Sequence, residues 1–178
     1  SGWARLSNEL RLEIPFKSER LLHDMMGLAE QGDKHATPDV ITYNCIIKAW
    51  GRTKQPNSAD RCEFWLRKMI DANHNSLEEN CIPSPNVATY NLCIDAHMAL
   101  GDAASAESLL NEMKESNGLV PPNSESYSKV IRAFVSSEEL HSQYSSGESI
   151  EKAWGLLQEL IKRERQEESN FGTAPDLF

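Results

Sequence analysis

The sequence predicts an all-α fold, an α-solenoid of stacked antiparallel helical hairpins. The tripeptide TYN occurs twice, at Thr42 and at Thr89, each time a few residues after a proline and an Asp or Asn. After each copy, apolar residues recur at helical spacing, and a second helical pattern follows downstream. Hairpins that repeat about every 35 to 50 residues and cannot bury their apolar faces alone are typical of such a solenoid.

Three segments, aligned on their tyrosines, predict the first helix of a hairpin. In each segment apolar side chains lie three, four and seven residues after the tyrosine, which puts them on one stripe of a helix. The stripes are Tyr43, Ile46, Ile47 and Trp50; Tyr90, Cys93, Ile94 and His97; and Tyr127, Val130, Ile131 and Phe134.

Four segments predict the second helix of a hairpin, and one of them precedes the first tyrosine. A small residue is followed by three larger apolar ones, so that two helices can approach closely and then pack. The four patterns are Ser18, Leu21, Leu22 and Met25; Cys62, Trp65, Leu66 and Met69; Ala106, Leu109, Leu110 and Met113; and Ala153, Leu156, Leu157 and Leu160.

Proline tripeptides predict the boundaries between units, because proline disfavours helix in the residue before it. They are TPD, SPN, PPN and APD, beginning at Thr37, Ser84, Pro121 and Ala174. Extra length is expected in polar loops at LRLEIPF, NHNSLEENCIPS and SSEELHSQYSSG, and the chain is expected to be a piece of a longer protein. The predicted units of this single solenoid domain are a partial one at 1–39, mostly a second helix, and complete ones at 40–86, 87–123 and 124–176.

Composition and motifs limit the classes of protein to which the chain can belong. The 178 residues are 39% hydrophobic and 25% charged, as in an ordinary folded domain, and no apolar run reaches the roughly 18 residues of a membrane span. The four cysteines contain no CxxC pair, which favours small core residues in a reducing compartment over a disulfide or metal set. Phosphate loops, metalloprotease motifs and a nucleophile with an evident base are absent, so we expect no enzyme, no cofactor, no metal and no small-molecule substrate.

The net charge of -9 argues at first against a nucleic-acid partner, because phosphate binding normally needs a basic surface. The charge is distributed unevenly. The three first-helix segments, 40–53, 87–101 and 124–135, together hold two more basic than acidic residues. The acidity therefore belongs to the second helices and the loops.

Residues 87–123, VATYNLCIDAHMALGDAASAESLLNEMKESNGLVPPN, resemble a P-type pentatricopeptide repeat. The resemblance rests on the Asn after Tyr, the Gly that ends the first helix, the Ala that opens the second helix and the ExM ending; the Trp-x-x-Leu-Gly pattern of tetratricopeptide repeats is not seen. It implies a right-handed superhelix that binds single-stranded RNA, one base per repeat. It also implies a role in RNA processing, stability or translation in a mitochondrion or plastid.

The resemblance implies that the base is read by the residue after each Tyr together with the residue after each boundary Pro. A further residue, three before the first reader, would sandwich the base. The basic side chains of the same helices, Lys48, Arg52, Lys129 and Arg132, are expected to contact phosphates. The implied reader pairs are Asn44 with Asn86, Asn91 with Asn123, and Ser128 with Asp176; the sandwiching residues are Ile41, Ala88 and Glu125.

Helical geometry agrees with the position of the first readers, since Asn44 is one residue round the helix from Tyr43 and shares a face with Ile41 and Lys48. Two alternatives stay open. Asp or Asn after Pro is also a favoured N-cap of the following helix. The solenoid could instead be a scaffold for a protein partner within a ribonucleoprotein or other complex, which the net acidity favours.

Overall fold

The computed structural model describes residues 2–74, 82–116, 118–140 and 146–171. Across these residues the secondary structure consists of helices, with no strand, which confirms the predicted all-α repeat solenoid. A single 3₁₀ turn, Lys34–Ala36, follows the first helix. The α-helices are α1 (Gly2–Glu30), α2 (Val40–Gly51), α3 (Ser58–His74), α4 (Val87–Ala99), α5 (Ala103–Glu115), α6 (Ser124–Leu140) and α7 (Ser146–Phe171).

Capping side chains set where these helices begin. Asp39 caps α2, Asn86 caps α4 and Asp102 caps α5, and each carboxylate or amide oxygen accepts a bond from the backbone N–H three residues further on. Asn123 accepts the same bond at the start of α6. These bonds satisfy N–H groups that a helix start otherwise leaves without partners. The capping role of the Asp or Asn after Pro is confirmed for Asp39, Asn86 and Asn123, and Asp176 lies outside the described residues.

The helices pack in two layers. Helices α2, α4 and α6 lie side by side, and each packs against the second helix of its own hairpin; α3 also contacts α4, and α5 contacts α6. A second helix is therefore held between its own first helix and that of the next hairpin. Full burial of a large apolar side chain here stabilises the fold by about 1.5 to 3 kcal/mol. The largest fully buried side chains include Tyr43, Ile47, Leu66, Met69, Ile94, Leu109, Leu110, Met113, Tyr127, Val130 and Phe134.

The prediction of a loop at LRLEIPF is wrong. These residues lie inside α1, which continues through Pro15. Proline removes a backbone hydrogen bond from a helix interior, but contacts distant in sequence hold the turns after it. The ring of Phe16 packs edge-on against Trp50 at 5.0 Å, and the Glu19 carboxylate accepts bonds from the indoles of Trp50 and Trp65 at 2.8 and 2.7 Å.

The other two predicted loops are shorter than the sequence indicated. Helix α3 extends to His74 and α6 to Leu140, so SSEEL is helical. Leucine and glutamate are good helix formers, which explains the extension of α6. The central parts of both loops, 75–81 and 141–145, lie outside the described residues.

The three cysteines that the structure describes are of two kinds, and Cys81 lies outside the described residues. Cys62 and Cys93 are buried, and burial raises the pKa of Cys62 to about 12 and that of Cys93 well above its usual value, so both thiols are inert. Cys45 is exposed, against the expectation of a core position, because it lies on the solvent side of α2. Within the described ranges no helix is long and apolar enough to cross a membrane.

Candidate nucleic-acid interface

The residues predicted to contact a nucleic acid lie along α2, α4 and α6, which pack next to one another. Most of them are in the first turns of these helices. Their tyrosines point the opposite way, into the core, where Tyr43, Tyr90 and Tyr127 are buried. Repetition of the first helix therefore gives a row of short polar side chains on one surface, which we call the first-helix surface.

The first predicted pair, Asn44 and Asn86, is joined through a third side chain. The Thr89 hydroxyl lies 2.8 Å from Asn44 Oδ1 and 3.1 Å from Asn86 Oδ1. Thr89 also closes a capping box, because its hydroxyl accepts from the Asn86 backbone N–H at 3.1 Å while its own N–H donates to Asn86 Oδ1 at 3.0 Å. Asn44 of α2 and Asn86 at the start of α4 are thus brought together.

The second predicted pair, Asn91 and Asn123, repeats this arrangement one unit along. Ser126 takes the place of Thr89, and its hydroxyl donates to Asn91 Oδ1 at 2.7 Å and lies 2.9 Å from Asn123 Oδ1. A direct bond joins the two amides, from Asn91 Nδ2 to Asn123 Oδ1 at 3.4 Å. Asn91 is 4% exposed, whereas Asn44 is half-buried, so the second pair is the more closed.

The third predicted pair, Ser128 and Asp176, cannot be compared with the first two. Asp176 lies outside the described residues, and the Ser128 hydroxyl donates to the Ser124 carbonyl of its own helix at 2.8 Å. A hydroxyl satisfied in this way is only a weak partner for another group.

The predicted sandwiching residues are all solvent-facing. Ala88 and Glu125 are exposed, and Ile41 is 66% exposed, which is high for a large apolar side chain. The three lie at equivalent positions, one turn before Asn44, Asn91 and Ser128. Flat apolar partners such as a base could cover Ile41 and Ala88, whereas Glu125 offers a carboxylate.

The four predicted phosphate contacts differ in their surroundings. Lys48 and Arg52 are exposed on α2, and Arg132 is exposed on α6 with its guanidinium 3.5 Å from the Met98 sulfur. Lys129 instead forms ion pairs with Asp95 on α4 and, at 3.2 Å, with Glu125. These two carboxylates offset the charge of Lys129, so the free positive charge of the surface concentrates on α2.

A second polar cluster joins α3, α4 and α5 at the turn after α4. His97 is 4% exposed, with Nε2 2.7 Å from Glu63 and Nδ1 3.2 Å from Asp102. Burial acts to lower the pKa of His97, but the bonds and charges of Glu63 and Asp102 outweigh it, so that this pKa is raised. The hydrogen bond from His97 in turn lowers the pKa of Glu63. This cluster couples two hairpins and lies apart from the Asn pairs.

Comparison with known proteins finds a repeat family that matches part of the chain. The PPR repeat family matches residues 85–136, which include α4, α5 and the first part of α6. A chloroplastic pentatricopeptide repeat-containing protein of Arabidopsis thaliana is 31% identical over 110 residues. This alignment covers 62% of the present chain and 12% of the relative, so the chain spans a small part of the protein that it matches. Residues 85–136 are thus similar to pentatricopeptide repeats.

Within the matched residues, Thr89 and Ser126 are the polar residues at the candidate site that the motif analysis missed. Both are 0% exposed, and both lie three residues after a boundary Asn. A hydroxyl residue at that spacing from a capping side chain was a signal available in the sequence. Its bond to an Asn of the preceding repeat depends on the packing of two helices and could not be read locally.

In the part of the chain that the structure describes, no three His, Cys, Asp or Glu side chains come together as a metal site. The polar groups on the first-helix surface are amides, hydroxyls and a few cations, which can donate and accept hydrogen bonds.

Proposed function

We propose that the chain is a pentatricopeptide repeat protein that binds single-stranded RNA along the first-helix surface, with one base for each repeat. The observation that carries the proposal is a triad of two Asn side chains and one hydroxyl that occurs twice. The triads are Asn44, Asn86 and Thr89, and Asn91, Asn123 and Ser126. Structural repeats that each offer two side chains to one base suit a single strand, whose bases are free to splay out.

The geometry suits base recognition in the first complete repeat best. Asn44 is half-buried, Asn86 is exposed, and the exposed Ile41 lies one turn away as an apolar surface for the base face. Lys48 and Arg52 continue along the same helix as candidates for phosphate contacts, since both are exposed cations. The match of residues 85–136 to the PPR repeat family supports RNA as the ligand.

The expected sequence preference follows from the resemblance. Asn/Asn pairs favour pyrimidines, cytosine above uracil, and a Ser/Asp pair favours guanine, with the repeats parallel to the RNA from 5′ to 3′. The three repeats are then expected to favour C or U, C or U, and G. Glu125 weakens the guanine preference, because its carboxylate replaces an apolar contact and repels phosphate.

The place of action that we propose is a plastid, where the protein would act in RNA processing, stability or translation. The printed name of the Arabidopsis relative, which is chloroplastic, supports this compartment. The role itself rests on the family resemblance.

Selection from a randomised RNA pool tests the proposal. The parent is expected to enrich a pyrimidine at two adjacent positions, and Asn91→Ser is expected to shift one of them towards adenine without changing its neighbours. Lys48→Ala is expected to weaken all sequences alike and to reduce the dependence of affinity on salt, as loss of a phosphate contact does. Failure of the parent to enrich any RNA would refute RNA binding.

A protein scaffold is the second candidate, and one observation favours it. Helix α7 exposes Ile150, Trp154 and Ile161, three large apolar side chains at helical spacing. Exposed apolar clusters of this kind often mark contact surfaces. If the selection enriches no RNA, this surface becomes the starting point for a search for protein partners.

A further inference from the structure

The two Asn triads share a detailed hydrogen-bond pattern that bears on how bases are recognised. In each triad one buried hydroxyl lies between two amide oxygens, and the oxygen of the preceding repeat is the nearer. The Thr89 hydroxyl is 2.8 Å from Asn44 Oδ1 and 3.1 Å from Asn86 Oδ1. For Ser126 the distances to Asn91 Oδ1 and Asn123 Oδ1 are 2.7 and 2.9 Å.

A hydroxyl has one hydrogen to donate, so it can serve only one of these oxygens at a time. Asn86 Oδ1 already accepts the backbone N–H of Thr89 at 3.0 Å, and Asn123 Oδ1 accepts that of Ser126 at 3.0 Å. The hydroxyl of Thr89 therefore donates its hydrogen to Asn44 Oδ1, and the hydroxyl of Ser126 donates to Asn91 Oδ1. All four amide oxygens then have a donor within the protein.

This arrangement fixes which atoms remain for a ligand. The amide oxygens are turned towards a hydroxyl or a helix start, so the NH₂ groups supply the hydrogens that remain for a ligand. Asn91 Nδ2 gives one of its two hydrogens to Asn123 Oδ1 at 3.4 Å, and no bond from Asn44 Nδ2 occurs within the described residues. Each first reader, Asn44 or Asn91, thus keeps at least one N–H donor for a ligand, while its oxygen is engaged within the protein.

We propose that Thr89 and Ser126 are positioning residues of the RNA site, which hold the oxygens of the base-reading amides inside the protein and leave their NH₂ groups as donors to the base. This inference rests on the proposed function. Neither side chain touches RNA itself, because both are 0% exposed. Their effect is on which base fits.

An NH₂ donor that faces ring position 3 discriminates between the two pyrimidines. Cytosine has an acceptor there, N3, between its O2 acceptor and its N4–H₂ donor, whereas uracil has an N3–H donor between its two carbonyls. The NH₂ group leaves the N3–H of uracil without an acceptor, and an unpaired buried donor is costly. Removal of the hydroxyl frees the amide to turn over and offer its oxygen to uracil.

The chain contains a matched control for this effect. Thr42 occupies the same position in α2 as Thr89 does in α4, and its N–H and hydroxyl both donate to the capping Asp39 at 2.8 Å. Its described hydrogen bonds include none to a reader amide of a preceding helix. Thr42→Val therefore removes the hydroxyl bond to Asp39, and keeps the capping N–H bond, without disturbing a base-reading Asn.

The experiment compares Thr89→Val, Thr89→Ser and Thr42→Val in binding to two short RNAs that differ only by C or U at the first recognised nucleotide. We expect Thr89→Val to reduce the preference for C over U roughly two- to tenfold at that nucleotide alone, as loss of one hydrogen bond predicts. Thr89→Ser keeps the hydroxyl and is expected to keep the preference. Thr42→Val is expected to lower thermal stability as much as Thr89→Val while leaving the preference unchanged.

The positioning role is overturned if Thr89→Val retains the full preference, or if it weakens binding to both RNAs equally, as a purely structural defect would. Failure of the parent to bind RNA refutes the proposed function itself, and NMR then tests the contact by itself. The side-chain amide signals of Asn44 should shift in Thr89→Val and stay in place in Thr42→Val. Unshifted signals in Thr89→Val would refute the contact.

Discussion

The second helices α5 and α7 carry the same apolar pattern in different surroundings. In α5, Leu110 is 0% exposed and Ala103 is buried, because α6 packs against this side of the helix. At the equivalent positions of α7, Leu157 is half-buried and Ile150 is 58% exposed. A stripe of apolar residues thus marks a surface that can be buried, and the neighbouring hairpin decides whether it is.

The contrast between α5 and α7 extends to the position just after the small residue that begins each apolar pattern. Glu63 in α3 and Glu107 in α5 each bind a side chain of the next hairpin, His97 at 2.7 Å and Lys152 at 3.1 Å. The equivalent residue of α7 is Trp154, which is 60% exposed. The middle of the solenoid is therefore held by packing and by ion pairs, and the following experiments test how far the two helices differ.

The largest difference in stability between α5 and α7 is expected from one pair of leucine substitutions. Leu110→Ala should lower the free energy of unfolding by about 2 to 5 kcal/mol, because it opens a cavity between two hairpins. Leu157→Ala should cost less than about 1.5 kcal/mol, since its site is already partly hydrated and can collapse. Urea denaturation followed by circular dichroism measures both, and equal losses would contradict the comparison.

A pH-dependent contribution is expected from the His97 cluster. The raised pKa of His97 makes its contribution fully present below its ordinary value of 6.5 and progressively lost as the pH rises through the folded-state pKa. The lowered pKa of Glu63 makes the opposite contribution, present above 4.5 and lost as the pH falls through its folded-state pKa. The cluster should thus stabilise the fold most between about pH 4.5 and 6.5.

Thermal unfolding across this pH range measures the effect. His97→Phe supplies the control, because α6 has Phe134 at the equivalent position, fully buried and not titratable. The variant should lose the decrease in stability above pH 6.5. A profile identical to that of the parent would show that His97 does not link the hairpins by charge.

A smaller loss is expected from Glu107→Gln. The Glu107–Lys152 pair at 3.1 Å joins α5 to α7, but both side chains are partly exposed, so its contribution should be about 0.2 to 1 kcal/mol and should shrink in salt. Melting temperatures at low and high ionic strength check this. A loss that stays constant in high salt would indicate packing rather than charge.

The smallest effect on stability is expected at the same position of α7. Trp154→Glu introduces the residue that α3 and α5 have there, and the free energy of unfolding should change by no more than about 0.5 kcal/mol, because the side chain lies in solvent. Self-association through the exposed stripe should decrease, as measured by sedimentation equilibrium. A large destabilisation would show that Trp154 packs within the fold.

Some features of the candidate site could be predicted from residues close together in the sequence, and others could not. The sequence placed Asn44 and Asn91 on a helix face opposite the core tyrosines, and it indicated the capping of α4 by Asn86. Both depend on residues a few positions apart. That Asn91 is buried while Asn44 is half-buried could not be predicted, because the difference comes from contacts with a neighbouring helix.

The sequence by itself determined the all-α class, the alternation of first and second helices and the residues that begin them, because helical periodicity, proline and capping act within a few residues. The tertiary structure decided the rest. It kept LRLEIPF helical through contacts of Phe16 and Glu19 with distant tryptophans, and it left Ile150 of α7 exposed while burying Ala103 at the equivalent position of α5. It also joined Thr89 to an Asn 45 residues away, since burial and hydrogen bonding between helices depend on which surfaces meet in space.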